Sequence, residues 1–201
     1  DITATNALTD WLSGVAATGT FVKPIGVGYP TGVSGIPSGW TVVEDKPYMT
    51  MTVDDSAGET TITPTLNGSF SSNPNLQYRV NEGNWNEYVF GQTGDIHVVA
   101  GNVVTWKANN PNGLSQNNSI YMNFSISDNV HLSGNIMSLI YNEDFVDKTV
   151  IPNDYCFFSL FKNSNVKTVS KDFLPATTLT EGCYRYMFSG CNALTTAPEL
   201  P

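Results

Sequence analysis

The sequence predicts a mainly β chain with short helices, in which a β-sandwich precedes a stacked repeat array. Three observations carry this. Between residues 44 and 127, apolar and polar residues alternate with a period of two, as at Met49, Met51 and Val53 against Thr50 and Thr52, the spacing of a strand with one buried face. After residue 150 that alternation gives way to a self-similar block: Cys156 and Cys183 stand 27 residues apart, with Phe157, Leu160 and Phe161 matched by Tyr184, Met187 and Phe188. A fixed period of that length marks units too small to bury their own apolar face, which must stack on a neighbour. Hydrophobic residues make up 40% of the chain and charged residues 13%, enough apolar content for a core and too little charge for a disordered chain.

From the N-terminus, Leu8, Trp11, Leu12 and Val15 share one face at helical spacing, so a short helix is expected there. Gly19 stops it, and Thr20–Lys23 follows as a strand. Glycine and proline dominate residues 24–39, predicting a long ordered loop. Residues 34–43 end it as a second strand, expected to be buried.

Residues 44–127 are expected to be all β. Met49–Val53 is a strand, 54–58 a turn, and Thr60–Thr63 a strand ended by Pro64. Leu76, Tyr78 and Val80 alternate in the next strand. Asn81–Asn84 then forms a hairpin turn into 85–90. Ile96–Val99 and Val103–Ala108 flank a tight turn at 100–102, and Ile120, Met122, Phe124 and Ile126 alternate in the last. About seven short strands at this spacing suggest a sandwich, immunoglobulin-like in general shape.

The last third repeats. The block 150–161 is helix-like and followed by Val166–Val169. Its counterpart 179–188 is followed by Leu194–Ala197, and each unit reaches a Leu-Pro step, at Leu174-Pro175 and Leu200-Pro201. The run from Leu174 through Gly182-Cys183-Tyr184-Arg185-Tyr186-Met187-Phe188-Ser189-Gly190-Cys191 to Pro201 resembles one repeat of the BspA-like leucine-rich repeat proteins. Residues 128–173 resemble it less closely: Ser164 stands where the second Cys belongs and the Pro after the strand is missing, as in a terminal, atypical unit. Residues 1–43 resemble the segment that closes a preceding array. The expected domains are therefore 1–43, a cap-like segment; 44–127, the sandwich; and 128–201, the first units of a leucine-rich-repeat-type solenoid that continues past Pro201. The resemblance implies a surface-exposed, non-enzymatic scaffold for adhesion and recognition, borne by gut bacteria or their phages.

Composition narrows the partners. The net charge is −9 with nine Lys and Arg, which argues against nucleic acid, because a phosphate-binding surface needs a basic patch. No run approaches the roughly 20 apolar residues that span a bilayer. The three cysteines, Cys156, Cys183 and Cys191, are expected as small buried apolar residues with reduced sulfurs, a Cys183–Cys191 disulfide being the alternative.

His97 and His131 have no nucleophile at motif spacing and are expected to be structural. Asp54, Asp55 and Glu59 lack calcium-loop spacing and belong to a turn. Glu143, Asp144, Asp147 and Asp154 form a solvated acidic stretch around Phe145, and no Gly-rich phosphate loop opens a helix. Asp55-Ser56-Ala57 resembles a short O-glycosylation signal of gut bacterial surface proteins. No enzyme, cofactor or metal is expected. Aromatic residues are the better candidates for binding, since a ring face takes the C–H patches of a sugar: Trp85, Tyr88, Tyr121, Tyr184 and Tyr186. Two residues apart on a helix, Tyr184 and Tyr186 cannot both face the core, so one is expected at the surface. The expected function is a non-catalytic, extracellular adhesion module binding a glycan or a cell-surface protein through Tyr184, Arg185 and Tyr186. The alternative is a phage virion protein, a head or tail fibre using the same modules. Either setting admits homo-oligomer or fibre assembly.

Overall fold

The computed structural model describes residues 8–200. The protein is mainly β, with one four-residue α-helix among the described residues, and it divides into two compact units, Asp1–Lys46 and Pro47–Pro201.

In the first unit, β1 (Gly19–Pro24) and β2 (Trp40–Asp45) pair in parallel, Gly19 opposite Trp40. Parallel pairing needs a long crossover, which the Gly/Pro-rich loop supplies. Phe21 holds the rings of Trp11 and Tyr29 edge-on at 5.7 and 5.1 Å. Gly19 is required here, because a Cβ would lie 2.7 Å from the Trp40 indole. The expected helix at Leu8–Val15 is a chain of turns instead. Asp10 and Gly14 both take positive φ, 54° and 77°, and alternate N–H groups bond three residues back, Ser13 to the Asp10 carbonyl at 2.9 Å.

The second unit has two sheets. The larger runs β11-β10-β3-β8-β5-β6, the smaller β7-β4-β9, with β3 at Met49–Val53, β4 at Thr60–Asn67, β5 at Gln77–Val80, β6 at Asn86–Glu87, β7 at Ile96–Val98, β8 at Val103–Lys107, β9 at Tyr121–Ile126, β10 at Val130–Ser133 and β11 at Val166–Val169. The alternation seen in sequence turns Met49, Met51 and Val53 inward, all essentially inaccessible. Trp106 of β8 meets Phe124 of β9 edge-on at 4.9 Å, joining the sheets through one core. Pro64 does not end β4 as expected; the strand continues to Asn67. Pairing with β7 stops at Ile62, so the missing N–H of Pro64 falls where no strand requires it. Its carbonyl, on that side, accepts from the Tyr88 hydroxyl at 3.2 Å. Helix α1 (Ser138–Tyr141) is pinned by the Ser138 hydroxyl, which accepts from the Met49 N–H at 2.9 Å and donates to the Trp106 carbonyl at 3.1 Å.

Strands β10 and β11 carry the larger sheet into the repeats. β10 pairs antiparallel with β3 and parallel with β11. The two helix-like blocks are not helices. Each is a coil of successive turns in which every fourth residue is left-handed: Tyr155, Ser159 and Asn163 in the first, Gly182, Tyr186 and Gly190 in the second, with φ between 56° and 78°. A left-handed residue cannot continue an α-helix, and its cost of about 1–2 kcal/mol for a non-glycine is offset because the backbone turns its free amides toward the neighbouring coil. The N–H groups of Tyr155, Phe157, Ser159, Phe161 and Asn163 donate to the carbonyls of Glu181, Cys183, Arg185, Met187 and Ser189 at 2.8–3.0 Å. On the other side, carbonyls of the first coil accept from Leu114 N–H (Cys156), Phe124 N–H (Leu160) and the Asn123 side-chain amide (Ser159), at 3.0, 2.8 and 2.8 Å. Strand β9 thus serves as the layer on which the coils are laid. The stretch 194–197 forms no strand.

Candidate functional site

The coils bury some side chains in the core and show others to solvent. Leu160, Phe161, Cys156 and Phe157 of the first coil and Cys183 and Met187 of the second point into the core. Tyr184 does too in large part: its ring stacks on Phe157 at 5.9 Å and 18°, and its enclosed hydroxyl has no hydrogen-bond partner among the described residues. Burial raises its pKa well above the ordinary phenol value. Tyr186, at φ 57°, is thrown outward and is 49% exposed. The predicted trio is therefore divided: Tyr184 packs against the core, while Arg185 and Tyr186 are exposed.

Around Tyr186 the structure gathers residues from three layers. Phe158 meets its ring edge-on at 5.7 Å, and Phe158 in turn meets Tyr155 at 5.8 Å and Tyr121 of β9 at 5.4 Å. Two cations lie against Tyr186, the Arg185 guanidinium at 5.0 Å and the Lys162 ammonium at 5.7 Å from the ring centre. Arg185 also donates to the Tyr186 hydroxyl at 3.4 Å. That contact lowers the pKa of Tyr186 and raises that of Arg185. The Tyr155 hydroxyl bonds Glu181 at 3.2 Å, which raises its pKa.

Beside this aromatic face runs a polar groove of about 330 Å³ between β4, β9 and the first coil. Thr65, Asn67, Tyr121, Asn123 and Ser125 line it from the strands, and Lys162, Asn163 and Ser164 from the first coil. The Asn67 and Ser125 side chains have no hydrogen-bond partner among the described residues, and so are open to a ligand's hydroxyls. Stacking rings beside unoccupied amide and hydroxyl groups are suited to a hydroxylated ring, and the cations to an anion.

The other candidates are occupied within the fold. Tyr88 is buried, its hydroxyl donating to Pro64 and Gly94 carbonyls. Trp85 lies under Lys107 at 4.3 Å and Arg79 at 5.1 Å and against Tyr48 at 5.3 Å. The Glu143 carboxylate accepts from Lys107 at 2.7 Å and from the Tyr48 hydroxyl at 2.5 Å. Asp54 is buried and receives Lys167 at 2.5 Å, His131 at 2.8 Å and the Ser56 N–H and hydroxyl. Hydrogen bonds from Lys167 and Ser56, with a smaller one from His131, hold its carboxyl far below the usual range. Exposed His97 pairs with Glu59 at 3.0 Å. All three cysteines are free and buried, and burial pushes the Cys156 thiol up to about 12.

Tyr155, Phe158 and Lys162 were not singled out by sequence. The available signal was the repeat itself: Phe158 aligns with Arg185 and Ser159 with Tyr186, positions that vary on a constant frame. No family model, curated protein or solved structure matches the chain. No helix among the described residues is long and apolar enough to cross a membrane.

Proposed function

We propose that this chain is a non-catalytic, surface-exposed recognition module that binds a glycan through the Tyr186 face and the adjoining groove. The observation that carries this reading is the exposed Tyr186 ring, in contact with Phe158 and two cations, one of which, Lys162, also lines a groove with free amide and hydroxyl groups. Aromatic and polar groups fixed before binding lose little entropy on contact. In this reading the two sheets are an immunoglobulin-like sandwich and the coils open a leucine-rich-repeat-type solenoid of the BspA-like kind, displayed outside the cell. The coil ladder supports it: the N–H groups of Tyr184, Tyr186 and Phe188 have no partner among the described residues, and a further coil would meet them as the second coil meets the first. Equivalent positions would then stand in a row, and weak contacts would add along an extended ligand.

The test is a glycan array probed with the protein and with Tyr186→Gly. Glycans retained by the first and lost by the second are expected. An array without retained glycans, or with the same ones retained by both, rejects the reading.

A further inference from the structure

We propose that the ligand of this face is an acidic glycan, one whose carboxylate settles at Lys162 in the groove while a sugar ring stacks on Tyr186; this rests on the reading just given and names its ligand class. Lys162 is the only charged residue lining the groove. Its ammonium forms no salt bridge among the described residues, and neither does Arg185; Lys148 and Lys171 form none either, but they neither line the groove nor lie against Tyr186. In a chain of net charge −9, two cations without a salt bridge converge on one exposed ring. The acids of the two coils, Glu181 and Asp154, are engaged at the Tyr155 end: Glu181 by the Tyr155 hydroxyl, Asp154 by the Glu181 N–H at 3.0 Å. Neither lines the groove.

The chemistry follows from the placement. A sugar ring stacked on Tyr186 would lie beside Lys162, whose ammonium is 5.7 Å from the Tyr186 ring centre and which also lines the groove. A carboxylate there gains a charge-assisted bond from Lys162, stronger than a neutral one, with Arg185 adding a longer-range attraction that salt screens. A neutral sugar makes the stacking contacts alone.

Titration calorimetry would use three acidic probes, each against its uncharged counterpart: trigalacturonate and its methyl ester, a hyaluronan tetrasaccharide and its methyl ester, and 3′-sialyllactose and lactose. At least one acidic probe is expected to bind about tenfold or more tighter than its counterpart, the gain expected of one charge-assisted bond. Lys162→Gln should remove that difference, and added salt should narrow it. Equal binding of acidic and neutral members, lost together in Tyr186→Gly, overturns the acidic preference and leaves glycan binding standing. Acid binding untouched by Tyr186→Gly, as a general polyanion attraction would give, also overturns it. Binding of no probe, with an array that retains no glycan, removes both readings.

Discussion

The rings of Phe161 and Phe188, 27 residues apart, stack 5.6 Å apart and only 6° from parallel. Phe161 also stacks on Phe124 of β9 at 5.6 Å and 14°. The same polar bond accompanies each step: Ser164 Oγ donates to the Phe124 carbonyl, and Cys191 Sγ to the Phe161 carbonyl at 3.0 Å. The three rings form a column from sheet to second coil. Phe161 is fully buried and Phe188 half-buried, so Phe161→Ala should cost about 3–5 kcal/mol and Phe188→Ala about 2 kcal/mol. Urea unfolding curves with unchanged slope measure both. Equal losses would show that the column does not grow outward from the sheet.

Tyr186 occupies a backbone conformation that suits glycine. Tyr186→Gly should leave the unfolding midpoint unchanged or raise it, the relief of about 1 kcal/mol set against lost contacts with Phe158 and Arg185. Tyr186→Val should lower it by about 1 kcal/mol, because a β-branched residue tolerates positive φ least. A midpoint higher for valine than for glycine would contradict the conformation.

Asp54 links β3, β10 and β11 through His131 and Lys167. Its folded-state pKa lies far below the ordinary carboxylate value, so its contribution is fully present above about pH 4, near the unfolded pKa, and fades as pH falls further toward the folded pKa. Melting temperatures of the protein and Asp54→Asn, followed from pH 7 to pH 2, should differ most at neutral pH and draw together below about pH 4. A constant difference would show that the carboxylate charge is not what stabilises this junction.

Burial keeps the Cys156 thiol protonated, with a pKa of about 12. Cys183 and Cys191 are buried with it. The thiolate is the reactive form, so iodoacetamide at pH 8 should add nothing to the folded protein and three carbamidomethyl groups in denaturant, read by intact mass. Rapid labelling of native Cys156 would place it outside the core.

Local pattern was enough where a residue's fate depends on its immediate neighbours. Period-two alternation located β3, β5, β8 and β9 and turned Met49, Met51 and Val53 inward, because a strand's faces alternate whatever it pairs with. The 27-residue spacing matched Phe161 with Phe188 and Cys156 with Cys183, because stacked units repeat their core positions. It also drew attention to Arg185 and Tyr186. The backbone between these positions could not be read the same way. Apolar residues three and four apart serve a helix and a turn coil alike, and the difference lies in amides of Phe157 or Phe161 that are satisfied only by another coil 26 residues further on. The same dependence hid the site. Tyr121, Phe158, Lys162 and Tyr186 come from β9 and two coils, and Tyr184 and Tyr186 part company because the Tyr184 ring stacks on Phe157 of the neighbouring coil while that of Tyr186 stays half exposed. Sequence alone determined which residues must be buried and at what interval; the tertiary structure decided which faces meet, since hydrogen bonds between distant segments, not local propensity, set the backbone that aims those side chains.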